Sequence, residues 1–232
     1  MKLKKAFTLI ELIFVIVIIG ILSAALVPRF DRPTLIEAAH QVISHIRYTQ
    51  HLAMVDNKFD SNEPEWYKGR WQIFFAKTNG SDKKWAYTIF SDKRGSKGLT
   101  VFPDTEEIAR NPKNPSSQYL TGGYTWGNIP YRHKTTKVID SRLTKSMNIG
   151  HKYGIEKVEF IGGCKSRGKR IAFDYIGRPL CKNSNSLTSL YTAGNQNRLI
   201  QKPCQIKLSD EQESVIIQIE PETGYTHILL KS

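Results

Sequence analysis

The chain has 232 residues, with 34 Lys and Arg against 21 Asp and Glu, a formal net charge of +13 and three cysteines. The stretch from residue 58 onward is long enough for one domain with a proper core, and no internal repeat divides it. Three cysteines without a second cluster of histidines argue against zinc. No Ser-His-Asp spacing, G-x-S-x-G, H-E-x-x-H or P-loop occurs, and Gly162-Gly163-Cys164-Lys165 lacks the spacing of a phosphate cradle. Nothing in the residues asks for an enzyme, a metal or a cofactor.

The chain begins with a short basic leader, residues 1–6, carrying Lys2, Lys4 and Lys5. An apolar run follows from Phe7 to Val27, ending before Pro28. As a helix it would measure about 31 Å, enough to cross the hydrocarbon core of a bilayer. The lysines ahead of it place the N-terminus in the cytoplasm and everything after Pro28 outside. Glu11 is the one charge within the run. A lone carboxylate in hydrocarbon is costly and calls for a partner. An ordinary signal peptide, cut after Ala25, has a shorter apolar core and gains nothing from Glu11. A plain membrane anchor leaves Glu11 equally unexplained.

The leader, the small residue Ala6 and the block Phe7-Thr8-Leu9-Ile10-Glu11 resemble the class III signal of type IV pilins and type II secretion pseudopilins. That resemblance implies cleavage by prepilin peptidase between Ala6 and Phe7, with methylation of the new Phe7 amine. Ala6 stands where the family has glycine. The resemblance also makes Glu11 an assembly group that pairs with the N-terminal amine of a neighbouring subunit, since a paired buried carboxylate is tolerable and sets register. Gly20 and Pro28 fall where pilin helices loosen or kink, and proline removes a helix hydrogen bond.

Residues 34–57 read as an amphipathic helix, with Leu35, Ala39, Val42, Ile46, Thr49 and Ala53 forming one stripe that packs on a sheet. His40 and His51 would stand about 16 Å apart along this helix, too far to share an ion. Strand signals follow at Trp71–Phe75 and Trp85–Phe90, joined across Asn79-Gly80. Five more lie at Ile155–Ile161, Arg170–Tyr175, Gln205–Leu208, Val215–Ile219 and Tyr225–Leu230. The last two flank a Glu220–Gly224 turn. The stretch from Pro103 to Met147 is rich in turn formers and reads as long surface loops.

Trp71-Gln72-Ile73-Phe74-Phe75, the run Ile171-Ala172-Phe173-Asp174-Tyr175-Ile176-Gly177-Arg178-Pro179 and the Thr223-Gly224-Tyr225 turn look like the H-type minor pseudopilin (GspH/FimT) family. The implied fold is α+β: a long N-terminal transmembrane and amphipathic helix packed on a C-terminal antiparallel β-sheet domain. Its segments are a leader (1–6), a helix (7–57, with assembly half 7–27 and amphipathic half 34–57) and a periplasmic β-rich domain (58–232). The insertion around 98–154 has no counterpart in that family.

All three cysteines fall in the part placed outside, where disulfides form. Three pairings are open. Cys181 with Cys204 is favoured, because the two flank the polar loop Lys182–Pro203 and closing it would contribute about 3 kcal/mol in the chain-entropy model. The all-reduced state and a pairing through Cys164 remain open. The cluster Lys165, Arg167, Lys169 and Arg170 is a candidate contact for a polyanion such as DNA. The Gly-Arg-x-Arg that some FimT-like relatives use for DNA is replaced here by Gly224-Tyr225-Thr226-His227.

The reading reached is a minor pilin or pseudopilin: a single-pass inner-membrane precursor whose partners are other subunits and prepilin peptidase, assembled into a pseudopilus or type IV pilus. The alternatives are a DNA-binding minor pilin of a DNA-uptake machine and a secreted enzyme or binding protein. The residues do not choose between secretion, pilus and DNA uptake.

Overall fold

The computed structural model describes residues 8–26, 34–56, 58–91, 103–123, 129–165, 168–181 and 198–229. The chain divides into two compact units, Met1–Pro33 and Thr34–Ser232. The first contains helix α1, Leu9–Leu26. Its side chains from Leu9 to Leu22 are all exposed. Among the described residues no helix is long and apolar enough to cross a membrane. The 18 residues of α1 reach about 27 Å at the helical rise, short of a hydrocarbon core of about 30 Å. Phe7, Val27 and Pro28, which would lengthen or bend that segment, lie outside the described residues. α1 is helical through Gly20, where an added Cβ would meet nothing within 4 Å.

The second unit opens with helix α2, Thr34–Val55. Every member of the expected stripe is buried, and Ala38 and Ile43 widen it. A face this broad covers more than one sheet. Two four-stranded antiparallel sheets are present, where the sequence suggested one. The first contains β1 (Trp71–Lys77), β2 (Trp85–Ser91), β4 (Arg170–Phe173) and β5 (Pro179–Cys181), in the order β2-β1-β4-β5. The second contains β3 (Lys157–Gly162), β6 (Cys204–Ser209), β7 (Ser214–Ile219) and β8 (Thr226–Leu229), in the order β3-β6-β7-β8. The short helix α3, Ile149–Tyr153, precedes β3. One apolar core joins α2 to inward residues of both sheets, among them Ile73, Phe75, Ile89, Phe173, Ile206, Ile217 and Ile219.

The period of two along a strand sends alternate residues to opposite faces. In β1, Ile73 and Phe75 meet α2, while Phe74 packs against a separate cluster of Phe90, Ile108, Tyr119, Ile129, Tyr131 and Leu143. That cluster is built largely from the stretch expected to be surface loops. The stretch has little regular structure but anchors itself to β2 through the isolated pairs Thr88↔Thr121 and Phe90↔Ile108. Its backbone groups reach sheet partners, for example Ile89 N–H to Leu120 O and Gly122 N–H to Tyr87 O. The first sheet is therefore covered on both faces. This explains why Ala86 through Ser91 are all buried, a pattern no alternating sequence signal announces.

The disulfide also differs from expectation: it joins Cys164 to Cys204, not Cys181 to Cys204. The register of β3 on β6 puts Gly162 opposite Cys204. Gly162 takes φ +70° and a Cβ there would come within 2.4 Å of Pro203 O, so glycine permits the turn that returns Cys164 to Cys204. Cys181 lies on β5, in the other sheet.

Candidate assembly and processing site

The N-terminal block contains a local device that the sequence displays and that residue identity alone did not bring out. Thr8 precedes α1, and its backbone N–H and its hydroxyl both donate to Glu11 Oε2 at 3.3 Å. Glu11 N–H in return approaches Thr8 Oγ1 at 3.4 Å. This is a capping box: Thr-x-x-Glu satisfies two of the amide hydrogens that a helix start leaves without partners. Glu11 also sits in the first turn, where the positive end of the helix dipole favours a carboxylate. In the single chain, then, Glu11 is held at the start of an apolar helix by its own neighbour. The signal that could have found this was the Thr8-x-x-Glu11 spacing ahead of an apolar run. Ala6 and Phe7 lie outside the described residues.

The Phe173–Pro179 motif has a mechanical role. Asp174 Oδ1 accepts from Ile176 N–H and Arg178 N–H, and Asp174 Oδ2 accepts from Arg178 Nε at 2.7 Å. Gly177 supplies the positive φ of +87° that closes the turn. Gln50 of α2 donates to Gly177 O and to Thr223 O, both at 2.8 Å. One side chain thus latches this turn and the turn before β8 to the helix. Arg47 adds a hydrogen bond to Thr226 O at 2.7 Å.

The four-residue basic cluster does not form a uniform cationic surface. Lys165 is exposed and Arg167 lies outside the described residues. Lys169 Nζ sits 5.4 Å from the centre of the Trp85 ring. Arg170 is 3% exposed, donates to Gln72 Oε1 at 2.9 Å and lies 4.4 Å from the centre of the Phe74 ring. Its strand position turns it to the face that the 103–147 stretch covers, so it is a buried structural cation rather than a docking group.

The histidines of α2 do not converge. Among the described residues no group of three or more His, Cys, Asp or Glu is placed to hold a metal ion. His45 instead joins a buried polar network. Gln41 Nε2 donates to Tyr87 Oη at 2.7 Å and to Ser146 O at 2.8 Å, and Tyr153 Oη donates to Gln41 Oε1. Tyr87 Oη lies 2.7 Å from His45 Nδ1. In the neutral ring tautomer that leaves Nδ1 unprotonated, the Tyr87 hydroxyl donates to His45 Nδ1 while accepting from Gln41. Burial, and after it the charge of Lys113, lowers the His45 pKa from 6.5 to about 4. Burial pushes the Tyr87 hydroxyl far above its ordinary range. The network ties α2 to β2, to α3 and to the turn before it, and so fastens the helix specifically.

No curated protein and no solved structure matches this chain. Residues 1–27 match the prokaryotic N-terminal methylation motif, so the chain opens with a type IV pilin-like prepilin signal followed by a helix and an α+β unit of antiparallel sheets.

Proposed function

We propose that the chain is a minor pilin or pseudopilin, a structural subunit of a type II secretion pseudopilus or a type IV pilus, of the H-type (GspH/FimT-like) kind. The observation that carries this reading is the match of residues 1–27 to the N-terminal methylation motif. The exposed apolar side chains of α1 support it, because a helix apolar all round belongs in lipid or among other helices. On this reading the precursor is inserted in the inner membrane, leader inside, and prepilin peptidase cuts between Ala6 and Phe7. The new Phe7 amine is methylated. Glu11 then exchanges its contacts with Thr8 for the amine of a neighbouring subunit, and α1 joins the filament core while the β-rich unit stays outward. The role is structural, without catalysis or cofactor. Nucleic-acid capture is the second reading, and the burial of Arg170 takes one of its four cations away.

Mass spectrometry of the mature protein tests the proposal. A chain beginning with N-methylated Phe7 is the expected product, and a soluble chain beginning at Leu26 would overturn it in favour of a secreted protein. Replacing Glu11 by Val should reduce incorporation into filaments while leaving the folded signature of the β-rich unit unchanged.

A further inference from the structure

Residues 108–155 carry eight Lys and Arg and a single carboxylate, Asp140. All eight cations are exposed, whereas Asp140 is 2% exposed and takes Arg142 Nε at 3.0 Å and Arg142 Nη2 at 2.7 Å. The acid in this stretch is thus spent inside the fold and the charge that reaches water is positive.

Three pieces of chain meet at one corner of the lobe. Residues 131–140 double back as a small hairpin, with Arg132 paired to Ile139 and His133 N–H donating to Val138 O at 3.0 Å. α3 lies against it, because the His151 ring stacks on Tyr131 at 4.4 Å. The turn between β1 and β2 joins both: Asp82 Oδ2 accepts from Arg132 Nε at 3.0 Å and lies 3.2 Å from His151 Nε2. This corner gathers Lys83, Lys134, Lys137, Lys145 and Lys152, all exposed. Among the described residues none of these five pairs with a carboxylate. The acids beside them are engaged, Asp82 by Arg132 and Glu156 by Lys84 at 2.9 Å. Asp104 and Glu106 are exposed at the other end of β2, where Ile108 pairs with Phe90.

The chemistry left uncovered is charge with little apolar area. Val138 is the one exposed large hydrophobic residue of the lobe among the described residues. A protein partner or a lipid surface needs apolar anchors. A single nucleic-acid strand needs open rings on which bases stack, and Tyr131 is 7% exposed with His151 against its face. A duplex presents one phosphate charge per about 1.7 Å of its axis and asks chiefly for cations.

We infer that this corner is a docking surface for the phosphate backbone of duplex nucleic acid, without preference for sequence. It gives the second reading above a surface other than the Lys165–Arg170 cluster, and it does not rest on how the N-terminus is processed.

The test uses the full chain in phosphatidylcholine nanodiscs and fluorescence anisotropy of a labelled DNA duplex of about 20 base pairs, titrated between about 50 and 200 mM salt. Affinity should fall linearly with the logarithm of salt and be the same for a second, unrelated duplex. A single strand of equal length and polyglutamate of equal charge should each bind about tenfold more weakly or worse. Lys134→Gln combined with Lys137→Gln should weaken the duplex about tenfold or more at the lowest salt and make the salt slope shallower by about 2. Lys145→Gln with Lys152→Gln, an independent pair at α3, should do the same. Lys165→Gln with Lys202→Gln removes equal charge beside the disulfide and should change the slope by less than about 0.5. Absence of duplex binding overturns the inference, as does an equal loss in the Lys165 and Lys202 pair. So does a single strand or polyglutamate that binds as tightly as the duplex, or full affinity in both lobe variants.

Discussion

The His45–Tyr87 contact makes stability depend on pH in a window where surface carboxylates do not yet titrate. In the folded chain His45 is neutral, with a pKa of about 4 against 6.5 in an unfolded chain. Between those values the unfolded state binds the proton that the folded state refuses. Stability is therefore fully present above pH 6.5 and falls as the pH drops toward 4. The separation of the two values corresponds to roughly 3 kcal/mol at full development, of which about 2 kcal/mol should be lost between pH 7 and pH 5. That loss is worth about 4–8 °C in melting temperature for a unit of this size. The perturbation is His45→Gln, which keeps an acceptor for the Tyr87 hydroxyl but cannot take a proton. Thermal melts followed by near-ultraviolet circular dichroism at pH 7 and pH 5 should show the wild type losing about 4–8 °C more than the variant. Equal losses in the two proteins would refute the argument, since they would mean that another group carries the proton.

Three further outcomes follow from the packing. Cys164→Ala should lower stability by about 4 kcal/mol in the chain-entropy model, because the bond closes a separation of 40 residues, whereas Cys181→Ala should leave the disulfide intact by mass mapping and cost about 1 kcal/mol or less. Arg170→Ala should destabilise by about 2–3 kcal/mol in urea melts by removing a buried cation from Gln72 and Phe74, while Lys165→Ala, at an exposed position, should change stability by less than about 0.5 kcal/mol. Thr8→Ala removes the hydroxyl half of the capping box at a cost of about 1 kcal/mol to the start of α1, and Thr8→Ser should restore it; helicity and amide exchange at Glu11 read both.

Several elements were legible from residue pattern. The α2 stripe is one, because a period near 3.6 survives any tertiary arrangement that buries one face. Strands β1 and β2 are another, being rich in aromatic and β-branched residues. β5 was missed: Pro179, Leu180 and Cys181 form too short a run to carry a period, and the strand exists because β4 offers its edge. The stretch from 103 to 147 was misjudged as surface. Its turn formers do make turns, but the apolar residues spaced between them, Ile108, Leu120, Ile129 and Leu143, are collected by the open face of the first sheet.

The sequence by itself determined the N-terminal signal: the basic residues, the Phe7–Glu11 block and the apolar run lie within the 27 residues that match the methylation motif, so local pattern contains that message, while the Thr8–Glu11 capping box came from the structure. Tertiary structure alone decided which cysteines pair, whether Arg170 meets solvent and which lysines share a surface. Each depends on strand register or on residues far apart in the chain. Cys164 and Cys204 are brought together by the β3–β6 pairing across 40 positions. Arg170 is buried by a segment that precedes it by many tens of residues. The basic corner gathers the turn before β2, the 131–140 hairpin and α3, with Lys83 and Lys152 far apart in sequence. Spacing along a chain cannot encode which distant surfaces will meet; that follows from how two sheets share one helix.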